Sequence, residues 1–361
     1  MAVATAPVPL ISDGGGAALG TALTDLAIPP GLAASAVATA SLDGGEEAVA
    51  ESSSPSFLTP AVRGMLAVSL SAFLFGSNMT ATKLVLAGGD GPSPAALCAA
   101  RFAIAALCCA PALPTAVRAP ALRARSLELG LYLSAGYITQ AAGLAHTTAS
   151  RSAFSAAFTV IVVPLFAALS GSSRGARSTW AAAAVAVAGV ALLTNDGGAP
   201  PNVGDAACIL SACLFGWHKY RAEAAADATP AHETSALVAG QLAVLATASA
   251  LAATPDIAAS LHAGGLAGAF ADADTLPWPL LAYMGVFTTF LCLKLEAGAL
   301  SSISASTAAL LYAAEPVYGA CIASFALGDT WTARGVAGAV LVVAASLAGT
   351  RAAAGGKHKL E

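Results

Sequence analysis

The sequence predicts an all-α integral membrane protein with ten transmembrane helices, arranged as two inverted five-helix repeats. Three observations support this class: the 361 residues are 57% hydrophobic, only 10% are charged, and apolar stretches alternate with short polar breaks from residue 61 onward. Soluble domains carry about 25% charged residues, and their surface helices show a polar stripe. Most apolar stretches here lack such a stripe, so we expect lipid around them and not water.

Residues 1–60 are expected to form a disordered acidic tail, because they are rich in Ala, Gly, Ser and Pro. The first basic residue is Arg63, so the tail lacks the positive start of a signal peptide and the Arg-rich composition of a transit peptide. The sequence also has no basic cluster, which argues against a nucleic-acid partner.

Ten apolar stretches approach the length of about 20 residues that a membrane-spanning helix needs. Gly, Pro and Asp residues mark the breaks between them. The predicted spans are 64–86, 94–114, 127–146, 152–171, 179–194, 204–222, 234–254, 279–298, 303–327 and 333–350. The predicted domains are therefore a first repeat at 61–195, a second repeat at 196–352 and a short basic C-terminal tail at 353–361.

The positions of Lys and Arg predict that both termini lie on the cytoplasmic or stromal side of a membrane that the sequence does not identify. With this map, eleven basic residues fall in inner loops and tails, and Lys219 and Arg221 are among them. Outer loops hold only Arg151 and Arg334. Inner loops of membrane proteins carry such an excess of basic residues, and the excess requires an even number of spans.

Two matched stretches indicate an internal duplication. Residues 71–76 (SAFLFG) match residues 211–216 (SACLFG), and residues 152–164 align with residues 304–316, including a shared Pro. Because five helices is an odd number, the second repeat would enter the membrane in the opposite sense. Many secondary transporters use such inverted repeats to alternate between two faces of the membrane.

Polar and charged residues inside the predicted spans are candidates for a substrate or ion pathway, because such residues are costly in lipid and usually functional. The candidates are Glu315, Arg101, Lys83, Asn78, Lys294, Glu296, Tyr312 and Gln140. Pro164 and Pro316 are predicted to kink their helices, since proline cannot donate a backbone hydrogen bond.

Each charged candidate has a functional and a structural interpretation. Glu315 would be a proton or cation site, or it would pair with a hydroxyl or amide on a neighbouring helix. Arg101 would bind an anionic group of a substrate in a bidentate manner, or it would form a structural pair. Lys83 would line the pathway or extend to the membrane interface. His218, near the predicted inner end of its helix, is expected to contact solvent.

Lys294 and Glu296 are two residues apart and therefore lie on different faces of their helix. One of them would line a cavity while the other would reach the membrane interface.

The sequence lacks enzyme and metal signatures. His232-Glu233 begins a zinc-protease pattern, but Ala236 stands where its second His would be. The seven cysteines form no CxxC pair, and no Walker loop is present. We therefore expect a protein that is not an enzyme, with no catalytic residue, metal or cofactor.

Several of these motifs resemble the EamA-type branch of the drug/metabolite transporter superfamily, over about residues 61–352. In the first half the resemblance rests on residues 74–78 (LFGSN), Lys83, Arg101, and residues 147–150 (TTAS) before Pro164. In the second half it rests on residues 304–310, on 315–317 (EPV) and on Gly328-Asp329, where the family usually has Gly-Glu. The resemblance implies ten helices, a central cavity lined by helices 1–4 and 6–9, and transport of small organic solutes.

The predicted function is secondary transport of a small polar organic metabolite by alternating access, with proton coupling or exchange as the expected modes. Arg101, Lys83 and Asn78 would hold the substrate or act as a gate. The alternative is a non-transporting scaffold or assembly protein with the same fold. The expected partners are the lipid bilayer and a small-molecule metabolite, and a homodimer is left open.

Overall fold

The computed structural model describes residues 59–86, 93–144, 146–147, 149–170, 177–193, 200–256, 258–259, 262, 276–327 and 332–357. Every element of regular structure within these ranges is helical, which confirms the predicted all-α class. The predicted acidic tail lies outside the described residues.

The first half of the described chain contains seven α-helices. They are α1 (Pro60–Leu86), α2 (Pro94–Cys108), α3 (Leu113–Arg118), α4 (Pro120–Leu144), α5 (Ala149–Ala156), α6 (Thr159–Leu169) and α7 (Arg177–Leu193). A 3₁₀ turn at Ala110–Ala112 joins α2 to α3, and the chain bends there by 61°. The predicted span 94–114 is therefore straight only as far as Cys108, because Pro111 cannot continue the helical hydrogen-bond ladder.

The second half of the described chain also contains seven α-helices. They are α8 (Val203–Asp227), α9 (Thr234–Ala252), α10 (Trp278–Gly285), α11 (Cys292–Leu300), α12 (Ala305–Tyr312), α13 (Glu315–Leu327) and α14 (Ala333–Lys357). A 3₁₀ turn at Ala231–Glu233 precedes α9, and a π-helical segment at Val286–Leu291 joins α10 to α11 without a break.

Two of the predicted spans, each with a proline predicted to kink it, are divided into two helices. Residues 313–314 separate α12 from α13, and Pro316 is the second residue of α13. Proline is well tolerated in the first turn of a helix, where its missing N–H has no intrahelical partner. In the first half the interruption lies at residues 157–158, whereas Pro164 lies further on, inside α6.

Large apolar side chains lie on the outside of the helices, as expected for a lipid-facing surface. Examples with more than two-fifths of their surface exposed are Leu66, Phe73, Leu131, Leu169, Phe325, Val340 and Leu347. By length and composition, four described helices can cross a membrane, and the bent α2–α3 pair would make a fifth. Helices α4 and α8 are equally long but contain charged residues, which lower their hydropathy.

The helices pack through close glycine contacts, which are common between membrane helices because small residues let backbones approach. A Cβ atom added at Gly189 of α7 would lie 2.8 Å from the Gly338 carbonyl oxygen of α14. A Cβ atom at Gly76 of α1 would lie 2.9 Å from the Glu315 carbonyl oxygen of α13.

The two matched Leu-Phe-Gly stretches pack in corresponding ways. Gly76, in the first half, lies against α13, which follows the interruption at residues 313–314 in the second half. Gly216, in the second half, lies against Val162 of α6, which follows the interruption at residues 157–158 in the first half. Helix α1 also packs on α11, and α8 packs on α4. These contacts bring α1, α4, α8 and α11 together in the interior of the bundle, where the candidate site lies.

Candidate functional site

Arg101 lies at the contact between α1, α2 and the π-helical segment, with only 5% of its surface exposed. Its Nε donates to the Thr289 hydroxyl oxygen at 2.8 Å, and its Nη1 donates to Asn78 Oδ1 at 3.2 Å. The Thr288 hydroxyl lies 2.9 Å from the same Asn78 oxygen. The structure thus brings together two of the predicted candidates, Arg101 and Asn78.

The π-helical segment explains why two consecutive threonines face the interior. Thr288 and Thr289 are both fully buried, and both hydroxyls lie within 2.9 Å of the Met284 carbonyl oxygen. Because π-helical hydrogen bonds join residues five apart, the ladder widens here, and such segments often occur at functional sites. The segment therefore presents two hydroxyls to the guanidinium and the amide.

Aromatic rings cover the guanidinium of Arg101. Its Cζ lies 4.7 Å from the centre of the Phe102 ring and 5.5 Å from that of the Tyr137 ring. Tyr137 in turn contacts Phe215 of α8, with 5.1 Å between ring centroids. The Nη2 atom is buried and has no hydrogen-bond partner among the described residues. A buried charged donor without a partner is costly, so this atom marks a place where a ligand acceptor would be favourable.

A second polar network lies between α8, α11 and α12. Lys219 Nζ is 3.0 Å from Glu296 Oε1 and 3.1 Å from Oε2, and the Tyr312 hydroxyl donates to Oε2 at 2.8 Å. Lys219 also lies 3.8 Å from the centre of the Tyr312 ring. Glu296 and Tyr312 are buried, so this is an ion pair inside the bundle.

The expectation that His218 contacts solvent is wrong. His218 is only 5% exposed, and its Nε2 lies 3.1 Å from Gln241 Oε1 of α9. His218 lies inside the bundle, on a helix that continues to Asp227. Lys219 and Arg221, which were counted among the basic residues of the inner loops, lie on the same helix and form ion pairs.

A small cavity adjoins this second network. His218, Gln241 and Glu296 provide its polar lining, and leucine and alanine side chains provide the rest. Its volume of about 10 Å³ is close to the minimum that one water molecule needs. Three polar groups around such a space can hold a water between the two sides of the network.

Glu315 is the first residue of α13 and is partly buried. No hydrogen bond or ion pair joins its carboxylate to another described residue, but it interacts electrostatically with Lys219. Tyr137 and Cys292 each lie within electrostatic range of both Glu315 and Arg101. The carboxylate therefore shares the bundle interior with both networks.

Among the remaining candidates, Lys294 and Gln140 have no contact with either network that the structure describes. Lys83 lies on α1, but its side chain is outside what the structure describes. Lys294 is partly buried on α11, and Gln140 is partly buried on α4. Among the described residues, no three His, Cys, Asp or Glu side chains come together in an arrangement that could hold a metal ion.

The second half of the chain matches a known family. The model of the EamA-like transporter family matches residues 235–348, which run from the start of α9 into α14. The match covers less than half of the chain, so it shows a similarity of this region to the family. Together with the apolar helices, this similarity supports an integral multi-pass membrane protein.

The chain also shares its fold with a solved structure described as "Crystal structure of protein". The two have a TM-score of 0.62 and 17% sequence identity, and the match covers 82% of this chain and 98% of the other. At this identity the likeness concerns the fold alone. No curated protein matches the sequence.

The sequence reasoning missed Thr288, Thr289 and Lys219. The threonine pair stands within an otherwise apolar run, VFTTFL, which is a usable signal for an interior polar site. Lys219 was counted among the basic residues of the inner loops, although the predicted span 204–222 includes it. Its partner Glu296 is 77 residues further along the chain, so spacing within one helix could not have indicated the pair.

Replacing Lys219 by Met is expected to destabilise the protein, because it leaves the buried Glu296 carboxylate without its cation. Removing one partner of a buried ion pair costs about 3–5 kcal/mol. Thermal unfolding of the purified protein in detergent measures this loss, and adding Glu296→Gln to Lys219→Met should recover most of it.

The control is Arg221→Met, which breaks the more exposed Arg221–Glu128 pair. Exposed pairs contribute about 0–1 kcal/mol. Equal losses of stability for Lys219→Met and Arg221→Met would contradict the view that the Lys219 pair is buried and structurally important.

Proposed function

We propose that this protein is a secondary transporter of a small polar organic metabolite, that it works by alternating access, and that Arg101 binds an anionic group of the solute. The observation that carries the proposal is the buried Arg101 guanidinium with Nη2 unpartnered among the described residues. A charged group deep in a membrane protein usually marks a substrate or ion pathway. The family likewise favours a transporter over an enzyme.

The arrangement of the two halves supports alternating access. Asn78 and His218 are 140 positions apart, as are Arg101 and Gln241, and the same spacing separates the matched Leu-Phe-Gly stretches. The Arg101–Asn78 and Gln241–His218 hydrogen bonds therefore join corresponding positions in the two halves. In an inverted duplication, corresponding pairs lie at opposite depths in the membrane, and here they would close the pathway towards opposite faces.

The proposal includes the predicted topology. The chain would cross the membrane ten times, with repeats at 61–195 and 196–352 and both termini on the cytoplasmic or stromal side. The corresponding contacts of α1 with α11 and of α8 with α4 favour two related halves. The excess of Lys and Arg in the predicted inner loops favours this orientation.

Glu315 would serve as a proton or cation site that couples transport to an ion gradient. Its carboxylate is partly buried, has no hydrogen-bond partner among the described residues, and interacts with Lys219. A carboxylate at such depth is costly to ionise without a cation nearby. Binding a proton or a cation there would change the charge balance around Lys219 and the ion pair that it forms with Glu296.

Replacing Arg101 by Lys should lower the rate of solute transport about 10- to 100-fold, because Lys cannot present a planar pair of donors. Proteoliposomes loaded with a metabolite extract, followed by untargeted mass spectrometry, identify the solutes that wild-type protein releases. The release rate of the same solutes is then measured for the Arg101→Lys variant and for Arg221→Lys as the control. A wild-type rate for Arg101→Lys would refute the proposed role of Arg101.

Glu315→Gln should abolish the dependence of accumulation on a pH gradient while leaving solute exchange in place. Glutamine keeps the size and hydrogen-bonding capacity of the side chain but cannot take up and release a proton. Solute accumulation in proteoliposomes with and without an imposed pH gradient measures this difference. A variant that still responds to the gradient as the wild type does would exclude Glu315 as the proton site.

A further inference from the structure

The Arg101 guanidinium has two edges that can each bind two oxygens of one ligand. The side edge consists of Nε and Nη2, and the end edge of Nη1 and Nη2. Thr289 contacts Nε and Asn78 contacts Nη1, one nitrogen of each edge, and the shared Nη2 has no partner among the described residues. A ligand with two coplanar oxygens that binds the end edge uses Nη2 and Nη1, the nitrogen that Asn78 contacts.

Asn78 is the partner that can leave at little cost. Its bond to Nη1, at 3.2 Å, is longer than the 2.8 Å bond from Nε to Thr289. Its oxygen also lies 2.9 Å from the Thr288 hydroxyl, which lies 2.8 Å from the Met284 carbonyl as well. A hydroxyl has one hydrogen, so Thr288 can turn from Met284 to Asn78 when Arg101 releases the amide. The Asn78 oxygen then keeps a donor.

The surroundings select the charge and shape of the ligand. The Phe102 and Tyr137 rings lie 4.7 and 5.5 Å from the Arg101 Cζ, so part of the surroundings of the guanidinium is aromatic. Among the side chains that the structure describes, Arg101 is the one cation in contact with Asn78 or Thr289, and it contributes one positive charge. A phosphate monoester carries about −1.5 to −2 charges at neutral pH, and a buried excess charge is costly. A carboxylate is planar and carries one charge.

We propose that the solute of the proposed transporter is a monocarboxylate, which binds Nη1 and Nη2 of Arg101 in place of Asn78. The Asn78 oxygen then accepts its hydrogen bond from the Thr288 hydroxyl alone. This inference rests on the proposed function and assigns the substrate class to its site. It also gives binding a conformational consequence. In the present structure the Asn78–Arg101 hydrogen bond connects α1 to α2. A bound carboxylate would break this bond, whereas the Asn78–Thr288 hydrogen bond would still connect α1 to the π-helical segment.

The test measures binding of three probes, benzoate, benzamide and inorganic phosphate, to the purified full-length chain in lipid nanodiscs by calorimetry. Benzoate and benzamide have the same shape and differ in charge. We expect saturable binding of benzoate only, and its loss in Arg101→Lys. Asn78→Ala removes the competitor for Nη1 and should tighten benzoate binding about three- to tenfold, the equivalent of one hydrogen bond.

Asn78→Asp provides a second test that changes neither size nor shape. Its carboxylate would occupy the end edge of Arg101 permanently, so benzoate binding should be lost. Arg221→Lys, far from the site, should bind benzoate as the wild type does. Binding of benzamide or phosphate as tight as benzoate, no benzoate binding, or weaker benzoate binding by Asn78→Ala would overturn the inference.

These outcomes separate the inference from the proposed function. A protein that binds benzoate through Arg101 but moves no solute in proteoliposomes refutes transport and leaves the carboxylate site standing. A protein that transports a solute without a carboxylate, at a rate that depends on Arg101, refutes the carboxylate assignment and leaves transport standing.

Discussion

The structure around Arg101 depends on one constraint: a guanidinium placed among apolar helices has to be satisfied by protein groups, because lipid offers it none. An amide of α1 and a hydroxyl of the π-helical segment accept hydrogen bonds from Arg101 on α2, and two aromatic rings lie within 5.5 Å of its Cζ. The same constraint explains the second network, where Lys219, Glu296 and Tyr312 satisfy one another. Both networks hold together helices that are distant in sequence.

Backbone geometry adapts to these networks. A regular α-helix turns consecutive side chains in different directions, yet Thr288 and Thr289 are both buried at the Arg101 site. The wider π-helical ladder makes this possible and leaves both hydroxyls near one carbonyl oxygen. The interruption before Pro316 likewise places Glu315 at the start of a new helix, beside the glycine-mediated contact of α1 with α13.

The sequence predicted the helical class and the approximate positions of the helices, because apolar runs and Gly/Pro breaks are local signals. It also selected Arg101, Asn78, Glu296, Tyr312 and Glu315 from their polarity alone. It could not indicate which of them meet, since Arg101 bonds to Thr289 and Lys219 to Glu296 across long separations. The burial of His218 was missed because it depends on contacts across the bundle, such as the one with Gln241, which no local pattern records.

The internal repeat connects the fold to the proposed mechanism. The matched Leu-Phe-Gly stretches first indicated a duplication, and the same spacing relates the Asn78–Arg101 pair to the His218–Gln241 pair. In the proposed duplication, the two halves would hold polar pairs at corresponding positions with different residues. In one half the pair contains a guanidinium whose Nη2 has no partner among the described residues, and in the other a His–Gln pair lies beside a cavity with room for about one water.

The account holds that the interior site at Arg101 opens alternately to the two sides of the membrane. Thr289→Cys, in a chain whose seven native cysteines are replaced by Ala or Ser, tests this directly in sealed proteoliposomes. A membrane-impermeant thiol reagent should label Cys at this position whether it is added outside or trapped inside. Labelling from one side only, or from neither, would contradict the account.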